Sequence, residues 1–394
     1  MFNLPDFFNR MTVEAPLKFA GVDLRSNFGQ YLPGQQNFWT AIQCFQVASL
    51  AGSHESFCGM NRHEEPGIAK EFGSPTPASD KYLLHQAPTE AVTRPVPVLL
   101  VHGAAVNANA WSVEFDESGS GLARTLTAAG FRVFGITFSH PHGDNLIQAR
   151  QLADAVSQIL NLTGSDKLDL VCHSKGGIAA RCWLQGMIEP PKRNPVRKML
   201  LMGVPNLGTD QAFRHPLMGF ISQIAGLNSV IPYDRMYNMG MLMDTRAESI
   251  YSDGTFIGQG QILHPWADQI PLDPLEPDAE IVYEGGWGVF GHSRGIRQAI
   301  QDGGNLIERL NSAPFPAKVQ VALLAGTNQM FGTIPTEVSA PSDGMIFVAS
   351  ASHTRPFTEA GVRSLSVDTL PVNHLELLYD PRVSRWAIEK LQAE

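Results

Sequence analysis

An α/β fold with a mostly parallel central sheet flanked by helices is the fold class that this sequence predicts, and three observations predict it. From about residue 95, short apolar runs end in small residues and alternate with segments of helical period. Four runs are apolar on both faces, as buried parallel strands are: PVPVLLVHG, FRVFGITF, KLDLVCHS and VRKMLLMGVP. Between the second and third lies a predicted crossover helix, NLIQARQLADAVSQIL, whose apolar face carries Ala149, Leu152, Val156 and Ile159.

The alternation is interrupted once along the chain. It stops after MGVPNLGT and resumes with two predicted strands, KVQVALLAGT and GMIFVAS, and a terminal helix, SRWAIEKLQ. This interruption predicts a lid or cap insertion at 210–316 within a core formed by 91–209 and 317–394. Residues 1–90 are rich in Gly and Pro, and we expect an N-terminal extension packed on that core, with one helix in NFWTAIQCFQVASLAG.

Composition excludes several classes of protein. The chain has 394 residues, 43% of them hydrophobic, so it can bury a large core. Its formal net charge of −9 and its lack of a Lys/Arg-rich run argue against a nucleic-acid partner. It has no apolar stretch of about 18 residues, the length that a membrane-spanning helix needs.

Four cysteines occur, with no CxxC pair and no Cys/His cluster at zinc-ligand spacing. We therefore expect neither a metal nor another cofactor. Cys44 and Cys58 either form a disulfide or remain free thiols. The first residues, MFNLPDFFNRM, do not predict an intact signal peptide. The share of charged residues, 17% against a typical value of about 25%, nevertheless favours a secreted or periplasmic location.

The segment LDLVCHSKGGIAARCWL predicts a serine nucleophile. It runs from an apolar strand through a tight turn at Ser174 into a helix opened by small residues. Such a nucleophile elbow requires small neighbours, because the sharp reversal leaves little room for side chains and lifts the hydroxyl clear of the sheet. Cys172 stands where the motif usually has its first glycine, and cysteine is small enough to fit.

A second segment, Gly291 to Gly295, matches the literal G-x-S-x-G pattern and makes Ser293 the alternative nucleophile. Upstream of it lies YEGGWGVF, whose three glycines make a poor central strand. Ser174 instead follows a complete βαβ unit, so we prefer Ser174 and interpret Ser293 as a polar loop residue.

A serine nucleophile needs a base and an acid, which the chain supplies downstream in the order Ser, Asp, His. Asp343 lies in SAPSDGMIFVAS, just before a predicted strand, and His374 lies in the loop of LPVNHLELL. His374 would take the serine proton while Asp343 orients the imidazole. His353 and Asp368 remain alternatives, and each of the preferred residues could also be an ordinary turn or loop residue.

Two backbone N–H groups would complete the site by binding the oxyanion that forms during acyl transfer. Lys175, directly after the serine, would supply one. The other would come from the turn after the strand that ends in Val101-His102-Gly103, and Ala104 is the residue expected to supply it.

The segments VHGAA, VCHSKGG, MGVPNLGT, SDGMIFVAS and VNHLE together resemble the bacterial true lipases and the related lipase-like polyester and polyhydroxyalkanoate depolymerases of the α/β-hydrolase superfamily. The resemblance covers about residues 95–210 and 318–394. It implies an oxyanion hole from Ala104 and Lys175 and a triad of Ser174, Asp343 and His374. Lys175 departs from the Gln or Met usual in that family, residues 1–90 have no recognised counterpart, and the calcium site of some members has no match.

Where such enzymes carry a lid, this chain has a segment rich in methionine, a residue type that makes adaptable apolar surfaces. We expect the insertion to line a hydrophobic acyl pocket, with substrate-binding residues Met218, Met236, Met239, Met241 and Leu242. The alternative is ordinary core packing of a cap subdomain.

The sequence thus predicts a carboxylesterase or lipase that hydrolyses hydrophobic esters, lipid-like or aliphatic polyester, through an acyl-enzyme on Ser174. Two alternatives stay open. An acyltransferase would use the same triad, and a lipid-binding or interaction module could retain the fold without catalysis.

Overall fold

The computed structural model describes residues 18–19, 22–23, 38–57, 61–63, 65–112, 114–115, 119–191, 193–215, 256–288, 292–331 and 334–393. Within these ranges, no helix combines the length and apolar character needed to cross a bilayer.

One sheet of eight strands organises the described part of the chain. The strands are β1 (Ala41–Gln46), β2 (Lys81–Gln86), β3 (Pro97–Val101), β4 (Arg132–Phe138), β5 (Leu168–His173), β6 (Val196–Met202), β7 (Gln320–Gly326) and β8 (Leu365–Leu370). Their order across the sheet is β1-β2-β4-β3-β5-β6-β7-β8. Strand β2 pairs antiparallel with both neighbours and every other pair is parallel. This is the strand order of the α/β-hydrolase fold, so the predicted fold class is confirmed.

Helices pack on both faces of this sheet. Those described are α1 (Pro66–Phe72), α2 (Leu122–Ala128), α3 (Asn145–Thr163), α4 (Lys175–Leu184), α5 (Gln211–Arg214), α6 (Ile257–Gly260), α7 (Ala279–Glu284), α8 (Ile296–Asp302), α9 (Leu306–Ser312), α10 (Val348–Ala351), α11 (Arg355–Glu359) and α12 (Pro381–Gln392). Helix α3 is the predicted crossover: Asp144 caps its first turn by accepting from the Leu146 N–H, and Gly164 ends it with a φ of 68°.

The core is divided by the sheet into two layers, as the two-residue repeat of a strand requires. Leu99 and Val101 of β3 point into the layer with α3 and α4, while Val98 and Leu100 point into the layer with α2 and α12. All four side chains are fully buried. Burial on both faces explains why β3 to β6 appear in the sequence as continuous apolar runs.

Residues 41–46 form a strand, and the predicted helix in this region is therefore wrong. Strand β1 pairs along its whole length with β2, from Ala41 opposite Gln86 to Gln46 opposite Lys81. The Phe45 ring stacks on Tyr82 with 5.6 Å between ring centroids. Ala and Gln favour helix locally, but pairing at a sheet edge decides the conformation here. Because β1 and β2 both precede residue 91, the sheet begins well before the predicted start of the core.

The predicted strand GMIFVAS is also wrong. The Met345 and Ile346 N–H groups donate to the Asp343 side chain and not to a neighbouring strand. The run then enters α10, and its apolar side chains pack in a small cluster with Ala325 and Ala351. The last strand of the sheet is β8, which contains Asp368.

Some of the described residues of the insertion form a small core of their own, which includes Phe213, Phe256, Val282 and Ile296. Others, among them those of α9, pack in the main core beside the sheet. The five residues predicted to bind substrate, Met218, Met236, Met239, Met241 and Leu242, lie outside the described residues.

Candidate active site

Ser174 lies between the end of β5 and the start of α4, with φ 52° and ψ −135°. A non-glycine residue in such a conformation is strained by about 1–3 kcal/mol and is held there by its surroundings. Two glycines allow the first turn of α4 to lie close to the neighbouring segments. A Cβ added to Gly176 would lie 2.3 Å from the His102 carbonyl oxygen, and one added to Gly177 would lie 2.4 Å from the Val204 side chain. These are the small residues that the elbow pattern requires.

Ser174, His374 and Asp343 form one chain of hydrogen bonds. His374 Nε2 lies 2.9 Å from Ser174 Oγ, and His374 Nδ1 lies 2.7 Å from Asp343 Oδ2. Since a carboxylate only accepts, Nδ1 carries the proton and Nε2 accepts from the serine hydroxyl. Asp343 is fully buried and His374 is 4% exposed, so this chain of bonds is shielded from water.

The loop after β7 presents Asp343 to the imidazole. Its Oδ1 accepts from the Met345 and Ile346 N–H groups at 3.0 and 2.7 Å, and its carbonyl oxygen accepts from the His374 N–H at 2.9 Å. A Cβ added to Gly326, the last residue of β7, would lie 2.7 Å from the Asp343 Cβ. The carboxylate is therefore fixed in position by backbone contacts as well as by the imidazole.

The alternative acid and base lie elsewhere in the structure. Asp368 on β8 accepts from Trp386 Nε1 at 2.9 Å and pairs with Lys390 Nζ at 2.8 Å, both on α12. His353 lies between α10 and α11, where burial and the neighbouring Arg181 lower its pKa.

Ser293, the alternative nucleophile, lies in a ladder of two residues per strand outside the central sheet. Its Oγ accepts from the Gly295 N–H at 2.8 Å. Ser293 thus ends a two-residue strand, and α8 begins three residues later at Ile296, but this strand is not part of the eight-stranded sheet.

The turn after β3 lies directly against Ser174. A Cβ added to Gly103 would lie 2.7 Å from the Ser174 Cβ, so the chain passes the serine where it leaves β3. Ala104 follows in this turn and Ala105 has a φ of 64°. The two N–H groups predicted to bind an oxyanion, those of Ala104 and Lys175, therefore flank Ser174 on neighbouring segments.

His102 holds this turn, a role that the sequence analysis missed. Burial lowers the pKa of His102 to about 3, so its ring is neutral. Nδ1 donates to the Gly103 carbonyl oxygen at 2.6 Å and Nε2 accepts from the Phe138 N–H at 3.2 Å. The only signal in the sequence was a histidine at the end of an otherwise apolar strand.

His173, just before Ser174, was also missed. Its Nε2 donates to the His374 carbonyl oxygen at 3.0 Å, and the two rings lie 4.6 Å apart. Burial, together with the neighbouring His374, lowers the pKa of His173 well below its usual range. A neutral ring can bind the loop of His374 without placing a second positive charge beside it.

Groups of three or more His, Cys, Asp or Glu side chains suited to a metal ion are absent from the described residues.

Comparisons with known proteins give a family model and several structural neighbours. A family described as a domain of unknown function (DUF7379) matches residues 75–245. No curated protein matches the chain in sequence.

Among solved structures, the chain resembles Bacillus licheniformis lipase BlEst2 in its mature form, with 16% identity and a TM-score of 0.46 over 79% of this chain and 97% of that one. It also resembles naproxen esterase (carboxylesterase NP) from Bacillus subtilis, with 12% identity and a TM-score of 0.41 over 90% and 93% of the two chains. A third neighbour is Paleococcus ferrophilus monoacylglycerol lipase, with 17% identity and a TM-score of 0.39 over 75% and 95%. These neighbours are lipases and carboxylesterases, but each TM-score is below 0.5, so the fold is assigned here from the strand order.

Proposed function

We propose that this protein is a serine hydrolase of carboxylic esters. One observation carries the proposal: Ser174, at the strained turn between β5 and α4, is hydrogen bonded to His374, which is hydrogen bonded to the buried Asp343. A serine hydroxyl becomes a competent nucleophile at neutral pH when a neighbouring base can accept its proton.

The reaction follows from this arrangement. Ser174 Oγ attacks the ester carbonyl carbon while His374 Nε2 takes the hydroxyl proton, and the imidazolium gives that proton to the departing alcohol. The acyl group remains on Ser174 Oγ. Water then attacks the acyl-enzyme while His374 Nε2 takes its proton, and the imidazolium returns that proton to Ser174 Oγ as the bond to the acyl group breaks and the acid product leaves. Asp343 holds the imidazole in the required tautomer throughout.

The oxyanion formed in each step would be bound by the N–H groups of Ala104 and Lys175. The positions of these two residues support this role, because Lys175 begins α4 and the turn that contains Ala104 lies against Ser174. Donors fixed in place before the reaction need no reorganisation when charge develops, which makes this kind of stabilisation large.

We further propose that the substrates are hydrophobic esters, including lipid-like esters and aliphatic polyesters. The support lies in the sequence: an insertion rich in methionine follows β6, where it could form a lid over Ser174. Met218, Met236, Met239, Met241 and Leu242 would then line an acyl pocket.

The test is ester turnover by the purified protein and by two serine variants. Ser174→Ala should lower kcat for p-nitrophenyl butyrate by about 10⁶-fold, whereas Ser293→Ala should stay within about tenfold of the wild type. A fluorophosphonate should label the wild type on the peptide that contains Ser174 and leave Ser174→Ala unlabelled. Full activity in Ser174→Ala, or no ester turnover by the wild type, would contradict the proposal.

A further inference from the structure

The side chain of Lys175 is buried directly behind the nucleophile. It is 1% exposed, and its Nζ donates to the Gly143 carbonyl oxygen at 2.6 Å and to Gln148 Oε1 at 2.5 Å. Removing an ammonium group from water costs several kcal/mol unless other hydrogen bonds replace those of water. The acyl-enzyme chemistry proposed above uses only the backbone N–H of Lys175, so it does not account for this ammonium group.

The side chain reaches across one strand of the sheet. Lys175 follows β5, Gly143 follows β4, and β3 lies between these two strands. The Lys175 side chain therefore spans the end of β3 to reach the loop after β4. It bonds the loop of residues 139–144, which connects β4 to α3.

That loop also holds the turn after β3. The Ala105 N–H donates to the Pro141 carbonyl oxygen at 3.3 Å. The Phe138 N–H, at the end of β4, donates to His102 Nε2 at 3.2 Å. Residues 139–144 thus touch both proposed oxyanion donors, Ala104 through its neighbour Ala105 and Lys175 through Nζ.

We propose that the Lys175 side chain is a positioning group that fixes the separation between the Ala104 and Lys175 N–H groups. This inference rests on the proposed function. An oxyanion hole acts only if its donors stand about 2.7–3.1 Å from the place that the oxyanion will occupy. A misplacement of about 1 Å can lower the rate about 100-fold.

Two other parts of the chain also pack closely around the Lys175 ammonium group and the loop that it bonds. A Cβ added to Gly258 on α6 would lie 1.9 Å from the Gly143 carbonyl oxygen and 2.4 Å from Lys175 Cε, so the insertion packs directly on this hydrogen bond. On another side, Glu55 Oε1 accepts from the Asp144 N–H at 2.6 Å. The loop therefore has little room to move unless these contacts break.

The charges around Lys175 favour its protonated form at neutral pH. Burial lowers the pKa of Lys175 to about 8, while Glu55 and Asp144 oppose that shift. Burial also raises the pKa of Glu55 to about 7, so Glu55 is only partly ionised at neutral pH. Burial raises the pKa of Cys182, which also faces Lys175. Burial also lowers the pKa of the three imidazoles that interact with Lys175, which are therefore neutral: His102, His140 and His142. The bond to Gly143 is thus a charge-assisted one, which is the stronger kind.

The decisive variant is Lys175→Met, which keeps the backbone N–H and a side chain of similar length. Active sites would first be counted by fluorophosphonate titration, so that a loss of folded protein does not appear as slow turnover. We expect kcat per active site to fall about 100-fold and KM to change by less than about threefold. Affinity for a trifluoromethyl ketone, which forms an oxyanion on Ser174, should fall by the same factor as kcat/KM.

Two glutamine variants complete the test. Gln148→Met removes one partner of Nζ and should lower kcat per active site about tenfold. Gln185→Met is the matched control: Gln185 is a buried amide at the end of α4 that bonds Arg181, Leu310 and Ala313, away from this loop. It should lower stability and leave kcat per active site unchanged.

Each result decides the proposal. The proposal is overturned if kcat per active site in Lys175→Met stays within about threefold of the wild type. If Lys175→Met does not fold, Gln148→Met decides instead, and an unchanged kcat per active site in that variant overturns the proposal. An active wild type with inactive Ser174→Ala and normal Lys175→Met would overturn this inference alone. A wild type without ester turnover would overturn the proposed function and this inference with it.

Discussion

Each polar atom of His374 has a defined partner. Nδ1 faces Asp343, Nε2 faces Ser174, the carbonyl oxygen accepts from His173, and the N–H donates to the Asp343 carbonyl oxygen. The neighbouring Asn373 is held in turn, because its Oδ1 accepts from the Leu375 N–H at 3.0 Å. The orientation of the imidazole is thus set before any substrate binds.

If His374 is the base and Asp343 orients it, His374→Ala and Asp343→Asn should each lower kcat by at least about 10³-fold with folding intact. The asparagine variant would lose activity because an amide at this position favours the wrong imidazole tautomer. Steady-state ester hydrolysis and circular dichroism would measure both effects. His353→Ala is the control and should remain active; an inactive His353→Ala beside an active His374→Ala would reverse the assignment.

Ser174, Asp343 and His374 could be selected from the sequence because each stands in a local pattern: small residues around a turn, an Asp-Gly, and an Asn-His in a loop. The contacts of Lys175, His102 and His173 could not be selected. Each depends on which backbone group another segment presents after folding, a carbonyl oxygen for Lys175 and His173 and the Phe138 N–H for His102, and residue type does not encode that partner.

At the scale of the element, the junction of β5 and α4 shows how closely α4 must approach the neighbouring segments when a serine lies at the turn before it. Gly177 faces the fully buried Val204, which follows β6. A side chain on Gly177 would need the space that Val204 occupies.

Gly177→Ala should therefore destabilise the fold by about 1–3 kcal/mol through overpacking. Val204→Ala makes room for the added methyl group. The double variant should then be more stable than the sum of the single effects predicts, by about 0.5–3 kcal/mol. Urea denaturation of the four proteins would measure this coupling, and strict additivity would show that the close approach does not depend on Val204.

The insertion carries a prediction about substrate choice. If its methionines line an acyl pocket, longer acyl esters should gain up to about 0.8 kcal/mol for each buried methylene. Met239→Ser and Met241→Ser should then reduce kcat/KM for octanoyl esters much more than for acetyl esters, since an acetyl group reaches little of the pocket. Equal losses on both esters, or a simple loss of stability, would indicate cap packing instead.

Prediction of the elements succeeded where a strand is buried on both faces and failed where other contacts override composition. The runs that became β3 to β6 are mostly apolar, with charged residues only near the start of a strand. The apolar run after Asp343 contains strand-forming residues, but the carboxylate captures the N–H groups of Met345 and Ile346 that a ladder would need. In β1, pairing with β2 outweighs a local preference for helix.

At the scale of the whole molecule, the segment before residue 91 is part of the sheet. Strand β2 pairs with the edge of β4, and its residues Tyr82 and Leu83 are fully buried. The same segment brings Glu55 to the loop after β4. The expectation of an extension packed on a complete core therefore understates its contribution.

A protein that starts at residue 91 should consequently fail to unfold cooperatively and should aggregate, because β4 would become an exposed hydrophobic edge. One that starts at residue 38 keeps β1 and β2 and should fold. Thermal unfolding followed by circular dichroism, with size-exclusion chromatography, would compare the two. A stable monomer from the shorter protein would show that the sheet is complete without its first two strands.

The backbone at Ser174 sets function against stability at a single position. The left-handed conformation costs about 1–3 kcal/mol for any side chain with a Cβ, and glycine would remove most of that cost together with the hydroxyl. A lineage selected only to stay folded would therefore tend to lose this serine early, and a lineage that needs the hydroxyl must keep the strain. If Ser174 is the nucleophile, the strain of its backbone is a stability cost that selection for turnover would maintain.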